Sequence, residues 1–310
     1  MAKSGRGQPH STTLRKQRRS RKTRQLHGVR LPSAAFVRSC PRCHTLRRTT
    51  VFAFLPALLL GDYSGLYFGK SKIRLLMSAK AILAEIKPLG QEGYKRILLR
   101  HGVTEPCYGV KIEDLKKIEK RIKKDYRLAL DLYDTGVYDA MYLAGLIADD
   151  AQMTKKDLQR WAEKACGPLA TFTVAWVAAG SRHAWEIGRH WIDSDNDIVG
   201  SAGWAALGGL VALKPDAELD VAALKALLQR VEKTIHRAPN ESRSSMNRFI
   251  ISVGGYVSPL TQFAKQVGER IGKVTVDMGE TDCQVPFAPD YIAKMEKRGV
   301  IGKKRKTVKC

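Results

Sequence analysis

Residues 193 to 197 read DSDND, three carboxylates in five positions. Paired acids at the mouth of a groove could stabilise a developing positive charge or activate a water. Asp193 and Asp195 are therefore the candidate catalytic residues, although short polar side chains in such a turn also satisfy backbone groups at a helix end. A calcium loop does not fit, because its sixth and twelfth positions would be Ile198 and Trp204, where Gly and Glu are needed. Just upstream, in SRHAWEIGRHW, His183, Glu186 and His190 fall within about 60° of one another on a helix, a spacing that could hold a divalent metal. No fourth ligand accompanies them, so the set reads as a solvated polar face opposite Trp185 and Ile187, and neither metal nor cofactor is expected. The leader contains CPRCH, Cys40 to His44, a haem-attachment pattern with no haem-sized domain after it.

A second chemistry is phosphate binding. Lys155, Lys156, Arg160, Arg182, Arg189, Arg243 and Arg248 lie near the starts or faces of successive helical segments, where cations and helix N-termini could meet a phosphate backbone. Five tryptophans, 161, 176, 185, 191 and 204, cluster in the same region. Most belong in a core, and Trp161 and Trp176 are the two expected to line a cleft.

These residues need elements to position them, and from Met77 onward the apolar spacing is helical. Ile112, Leu115, Ile118 and Ile122 form one stripe, and Leu224, Leu227, Leu228, Val231 and Ile235 another. Short breaks such as DTG, CGP and SDND separate the stripes, Thr154 and Asp157 have capping-box spacing, and Pro168 suits a first helical turn. The expectation is an all-α fold in which hairpins near 78–101, 111–135, 137–166, 168–195, 197–238 and 241–272 stack as HEAT-like repeats into a curved solenoid.

Charge divides the chain. The formal net charge is +24, yet residues 1–76 hold 17 Lys and Arg against the single acid Asp62, while residues 77–297 hold 31 bases against 29 acids. The repeat body is thus nearly neutral, and affinity for an anionic partner must come from patches. The organisation read from this is a leader over 1–76, a repeat domain over 77–274, a C-terminal extension over 275–297 and a basic tail over 298–310, expected to be a flexible arm adding salt-sensitive affinity. The leader shows no sustained period, and Met77 opens a helical pattern, so the leader reads as a miscalled extension or a disordered basic arm. Its apolar run VFAFLPALLL is half the roughly 20 residues a spanning helix needs. Six scattered cysteines point to a reducing compartment, and the chain reads as cytoplasmic, without a membrane, and monomeric.

The run YGVKIEDLKKIEKRIKKDYRLALDLYDTGVYDAMYLAGLIADD (108–150), followed by LQRWAEK, resembles the DNA alkylation repair (AlkD-like) family of HEAT-repeat DNA glycosylases, and the likeness extends from Met77 to about Gly272. What the resemblance implies is a solenoid that cradles duplex DNA and hydrolyses the N-glycosidic bond of alkylated purines without extruding the base. It also implies a carboxylate and an aromatic on the helix after the Trp helix, and a second aromatic on a later inner helix. Alignment on Trp161 brings those three positions to Phe172, Pro168 and Arg248, and no acid stands anywhere in 165–180. The expected function is a DNA-binding HEAT-repeat protein of the DNA alkylation repair type, whose glycosylase chemistry is lost or moved to Asp193 or Asp195. The alternative is a non-catalytic module that binds damaged or branched DNA, or a protein partner.

Overall fold

The computed structural model describes residues 77–309, all helix and connecting segment with no strand among them. Six hairpins follow in order: α1 (Ala79–Ile86) with α2 (Glu92–Arg100), α3 (Ile112–Ile122) with α4 (Tyr126–Asp134), α5 (Tyr138–Ile147) with α6 (Lys155–Lys164), α7 (Gly167–Leu169) and α8 (Ala175–Gly180) with α9 (Ala184–Trp191), α10 (Asp197–Leu213) with α11 (Val221–Thr234), and α12 (Asn240–Tyr256) with α13 (Thr261–Ile271). A π-helical stretch, Ala170–Val174, joins α7 to α8 into one continuous helix. The fold is the HEAT-like helical-repeat solenoid that the spacing implied. No described helix is long and apolar enough to cross a membrane. The leader, with its CPRCH motif, lies outside the described residues.

Local chemistry sets most boundaries. Helix α3 buries Leu115, Ile118 and Ile122, opens on Glu113 and Asp114 and closes on Lys120 and Arg121, matching the helix dipole at both ends. At the start of α6 the Thr154 hydroxyl accepts from the Asp157 N–H at 3.1 Å while the Asp157 carboxylate accepts from the Thr154 N–H at 3.2 Å, so two of the helix's unpaired donors are satisfied reciprocally. The same carboxylate accepts the Tyr126 hydroxyl at 2.8 Å, tying this cap to the preceding hairpin.

Three inner elements, α5, the 167–180 helix and α10, are buried around nearly their whole circumference. Helix α10 manages this with small residues: a Cβ at Gly203 would lie 2.8 Å from both the Ile192 nitrogen and the Trp191 Cβ, so only glycine lets α9 and α10 pack that closely. One core runs from Trp204 and Leu207 of α10 through Leu228 and Val231 of α11 and Phe249 and Val253 of α12 to Ala264 of α13.

Residues 275–287, for which the sequence supplies no regular pattern, are strapped to one face of α12. The Asn240 carboxamide donates to the Asp277 carbonyl at 2.9 Å and accepts from its N–H at 2.8 Å, Arg243 donates to the Thr275 carbonyl at 3.0 Å, and Asn247 donates to the Pro286 carbonyl at 2.9 Å. An additional helix, α14 (Ala288–Lys297), then buries Ile292 and Met295 against α12 and α13.

The tail corrects the expectation of a flexible arm. It lies across the C-terminal ends of successive inner helices. The Lys304 ammonium donates to the Tyr256 carbonyl at 2.6 Å and the Val211 carbonyl at 2.9 Å and pairs with Asp216 at 2.7 Å, the Arg305 N–H donates to the Ala212 carbonyl at 2.8 Å, and Lys309 donates to the Ala148 carbonyl at 2.8 Å. The last carbonyls of a helix have no intrahelical donor and carry the negative end of the dipole, and lysine supplies both the hydrogen and the charge. Basic residues that look like a solvated run thus serve as caps for α12, α10 and α5.

Candidate nucleic-acid interface

The segment to which the resemblance assigns a catalytic carboxylate, 165–180, holds no acid. Pro168 and Phe172 are half-buried on the 167–180 helix, and the Phe172 ring tilts against Trp176 at 5.7 Å between centroids. Here the backbone widens: the Ala175 N–H reaches the Ala170 carbonyl five residues back, and the Thr171 hydroxyl donates to the Gly167 carbonyl at 3.2 Å. Thr173 packs onto Gly145 of α5, and its hydroxyl is buried with no partner among the described residues. π-Turns of this kind recur at functional sites, but this one presents no group able to take or give a proton.

Charge enters the wall from α12. Residues 241, 244, 248 and 252 are among its accessible positions, at helical spacing along one side, and Arg248 is the most exposed residue of the helix. Arg248 stands on that stripe with its side chain exposed to solvent. Desolvation lowers its proton affinity and Glu241 partly restores it, although an arginine remains a cation throughout the working range. Among the described residues the guanidinium donates no hydrogen bond, which leaves a planar five-donor fork unused.

Glu241 lies seven residues earlier, about two turns down the same face. Burial raises its carboxyl above the usual carboxylate range, Asp197 adds to the rise, and Arg248 and Asn240 oppose it. Asp197, the first residue of α10, accepts the backbone N–H groups of Glu241 at 2.9 Å and Ser242 at 2.8 Å and so fixes the start of α12. The Glu241 carboxylate rests against Gly167, where an added Cβ would come within 3.3 Å of its carbon and of Oε2.

The structure distributes the other candidates. Trp161 has no exposed surface and stacks on Tyr133 at 4.0 Å and 6°, while Trp176 is 4% exposed and meets Tyr142 edge-on, so both belong to the core and neither lines a cleft. Trp161 stands on the buried face of the amphipathic α6 and Trp176 on the nearly enclosed 167–180 helix, and at both places a large aromatic fills the space between neighbouring helices. Lys155 pairs with Glu186, Arg160 with Asp134 at 2.6 Å, and Arg189 covers the Trp185 ring at 5.7 Å. Arg182 meets His183 at 3.3 Å, and Arg243 is absorbed by the carbonyls of Ala238 and Thr275. Lys156 is exposed with no partner among the described residues. Of the seven cations, Lys156 and Arg248 have no hydrogen bond, close ion pair or ring contact among the described residues, and Arg248 is the one of these on α12.

Asp193 forms an ion pair with Arg230 of α11 at 2.6 Å, and with Asp195 it borders a shallow hollow that includes Gln159, His190 and Trp191. His183, Glu186 and His190 do not assemble a metal site, and no group of three or more His, Cys, Asp or Glu able to hold an ion occurs among the described residues. Sequence reasoning passed over Glu241. Its signal was the seven-residue spacing to Arg248, which places an acid and a base on one helix face.

A family model described as DNA alkylation repair enzyme matches residues 82–260. Two uncharacterized proteins, from Listeria innocua and Listeria monocytogenes, are each 33% identical over 220 residues, which make up 69% of this chain and 95% of the relative. A solved structure described as belonging to a new family of proteins related to the HEAT-like repeat DNA glycosylases, with affinity for branched DNA structures, superposes with a TM-score of 0.70 at 34% identity, covering 76% of this chain and all of that one.

Proposed function

This chain belongs to the DNA alkylation repair enzyme family, and within it we propose that it is a DNA-binding protein that recognises branched DNA and performs no glycosidic chemistry. The observation that carries the reading is Arg248: an exposed guanidinium on α12 with no hydrogen-bond acceptor among the described residues, in a chain whose 165–180 span holds no acid. A planar fork of donors suits a phosphate, which can take two of its N–H groups at once. Hydrolysis of an alkylated purine needs a carboxylate beside the sugar to support its cationic transition state, and Pro168 and Phe172 cannot supply one. The solved relative's affinity for branched DNA makes a junction, with its bent and diverging strands, the favoured form of the partner.

The test uses the full chain with a four-way junction, a paired duplex of the same length, and a duplex carrying N7-methylguanine. Tighter retention of the junction, with base release no faster than spontaneous loss, is the expected result. Enzyme-dependent release of the methylated base would overturn the non-catalytic part, and equal affinity for junction and duplex would overturn the branched part.

A further inference from the structure

Tyr138, the first residue of α5, is only 9% exposed, yet its hydroxyl has no hydrogen-bond partner among the described residues. Buried tyrosine hydroxyls ordinarily find one, as Tyr133 does by donating to the Trp161 carbonyl at 2.8 Å. Burial holds the Tyr138 hydroxyl in its protonated form well past the ordinary phenol range, so it offers a donor as well as an acceptor. The residue lines a hollow of about 270 Å³, with Met141 and Leu169 as apolar walls and Thr104, Lys164 and Cys166 as polar ones. That space admits a planar ring system, and a few polar groups converging on an apolar floor is how sites for such rings are built. Two helices begin at the hollow, α5 at Tyr138 and the 167–180 helix after Cys166, and neither has a side-chain cap, so their first N–H groups favour an anion beside the ring. At the rim, Asp134 is shared by Arg160 at 2.6 Å and Lys164 at 3.0 Å, two cations on one carboxylate. The hollow also adjoins the helix that carries Arg248. Gly167, next after Cys166, rests against Glu241, and Arg248 stands seven residues further along α12, about 10 Å by helical rise, which is about three steps of a stacked strand.

We propose that this hollow receives the base of an unpaired nucleotide at a branch in DNA: the base lies against the Tyr138 ring, Met141 and Leu169, the Tyr138 hydroxyl bonds to its edge, and Lys164 meets the adjoining phosphate. The inference rests on the branched-DNA reading and narrows it to branches that carry an unpaired nucleotide. Stacking on an aromatic face tolerates any base, because every base has a π-face. A base that is already unpaired enters without the cost of breaking a pair, whereas a continuous duplex must unstack one first.

The experiment measures binding of the full-length protein and its Tyr138→Phe variant to four labelled DNAs: a fully paired four-way junction, the same junction with one unpaired nucleotide at its branch point, that junction with the unpaired nucleotide made abasic, and a paired duplex of the same length. Wild type is expected to bind the junction with the unpaired nucleotide about tenfold more tightly than the fully paired one, through stacking and one hydrogen bond. The abasic position keeps the phosphate and removes the base, so it should abolish that gain. Tyr138→Phe keeps the ring and loses only a hydroxyl that has no partner in the fold, so it should stay folded, give up about three- to fivefold of the gain and bind the fully paired junction as wild type does. A wild-type protein that prefers the paired junction to duplex but gains nothing from the unpaired nucleotide overturns this inference and leaves the branched-DNA reading standing. A gain that the abasic junction keeps in full, or that folded Tyr138→Phe keeps in full, overturns it as well. No preference for either junction over duplex overturns both.

Discussion

Lys309 sits 161 residues downstream of Ala148 in the chain and donates to its carbonyl at 2.8 Å, while its ammonium pairs with Asp150 at 2.7 Å. Both partners are well buried. Burial lowers the proton affinity of Lys309 and raises that of Asp150, each shift favouring the neutral form, so desolvation outweighs attraction on both sides of the pair.

Breaking such a pair is therefore worse than lacking it. Lys309→Met should lower the unfolding free energy by about 3–5 kcal/mol, because the Asp150 carboxylate stays buried without its partner. Combining it with Asp150→Leu should recover at least half of that loss. Denaturant unfolding of the two proteins checks this, and equal stability of the single variant and the wild type would mean that the tail is not seated.

At the start of α6, Thr154→Ala removes one half of the capping box and should cost about 1 kcal/mol. The change is local, so the denaturant slope should stay constant while the midpoint falls. A null effect by the same measurement would show that Asp157 alone suffices at this end.

Trp161 separates stability from binding. Truncation to Ala should destabilise the protein by about 3–5 kcal/mol, since the ring fills the space beside Tyr133. The milder Trp161→Phe variant should fold and keep its junction affinity within about twofold, because the ring has no exposed surface to offer a ligand. Weakened binding by folded Trp161→Phe would return this residue to the cleft.

Much of the fold was legible in the sequence because it is local. Helical hairpins, the stripe of α3 and the cap at Thr154 are each decided within about four residues, the reach of a helical turn. The tail was not legible, since the acceptors that hold Lys304 lie 93 and 48 residues away and a lysine run in solvent has the same composition. The site divides along the same line. Replacement of the expected carboxylate by Phe172 could be read directly, and so could a cation at Arg248. That Arg248 is free while Arg160 and Arg243 are engaged depends on Asp134 and on the carbonyls of Ala238 and Thr275, contacts that only the folded chain creates. Glu241 likewise gains its meaning from Gly167, 74 positions earlier on a different repeat.

The central claim is that Arg248 takes a phosphate, and the salt dependence of junction binding by wild type and Arg248→Ala tests it most directly. Removing one phosphate contact should weaken binding about five- to tenfold and reduce the slope of log affinity against log salt by about 0.9, with the unfolding midpoint unchanged. An Arg248→Ala protein that folds normally and keeps both its affinity and its salt slope would contradict the account.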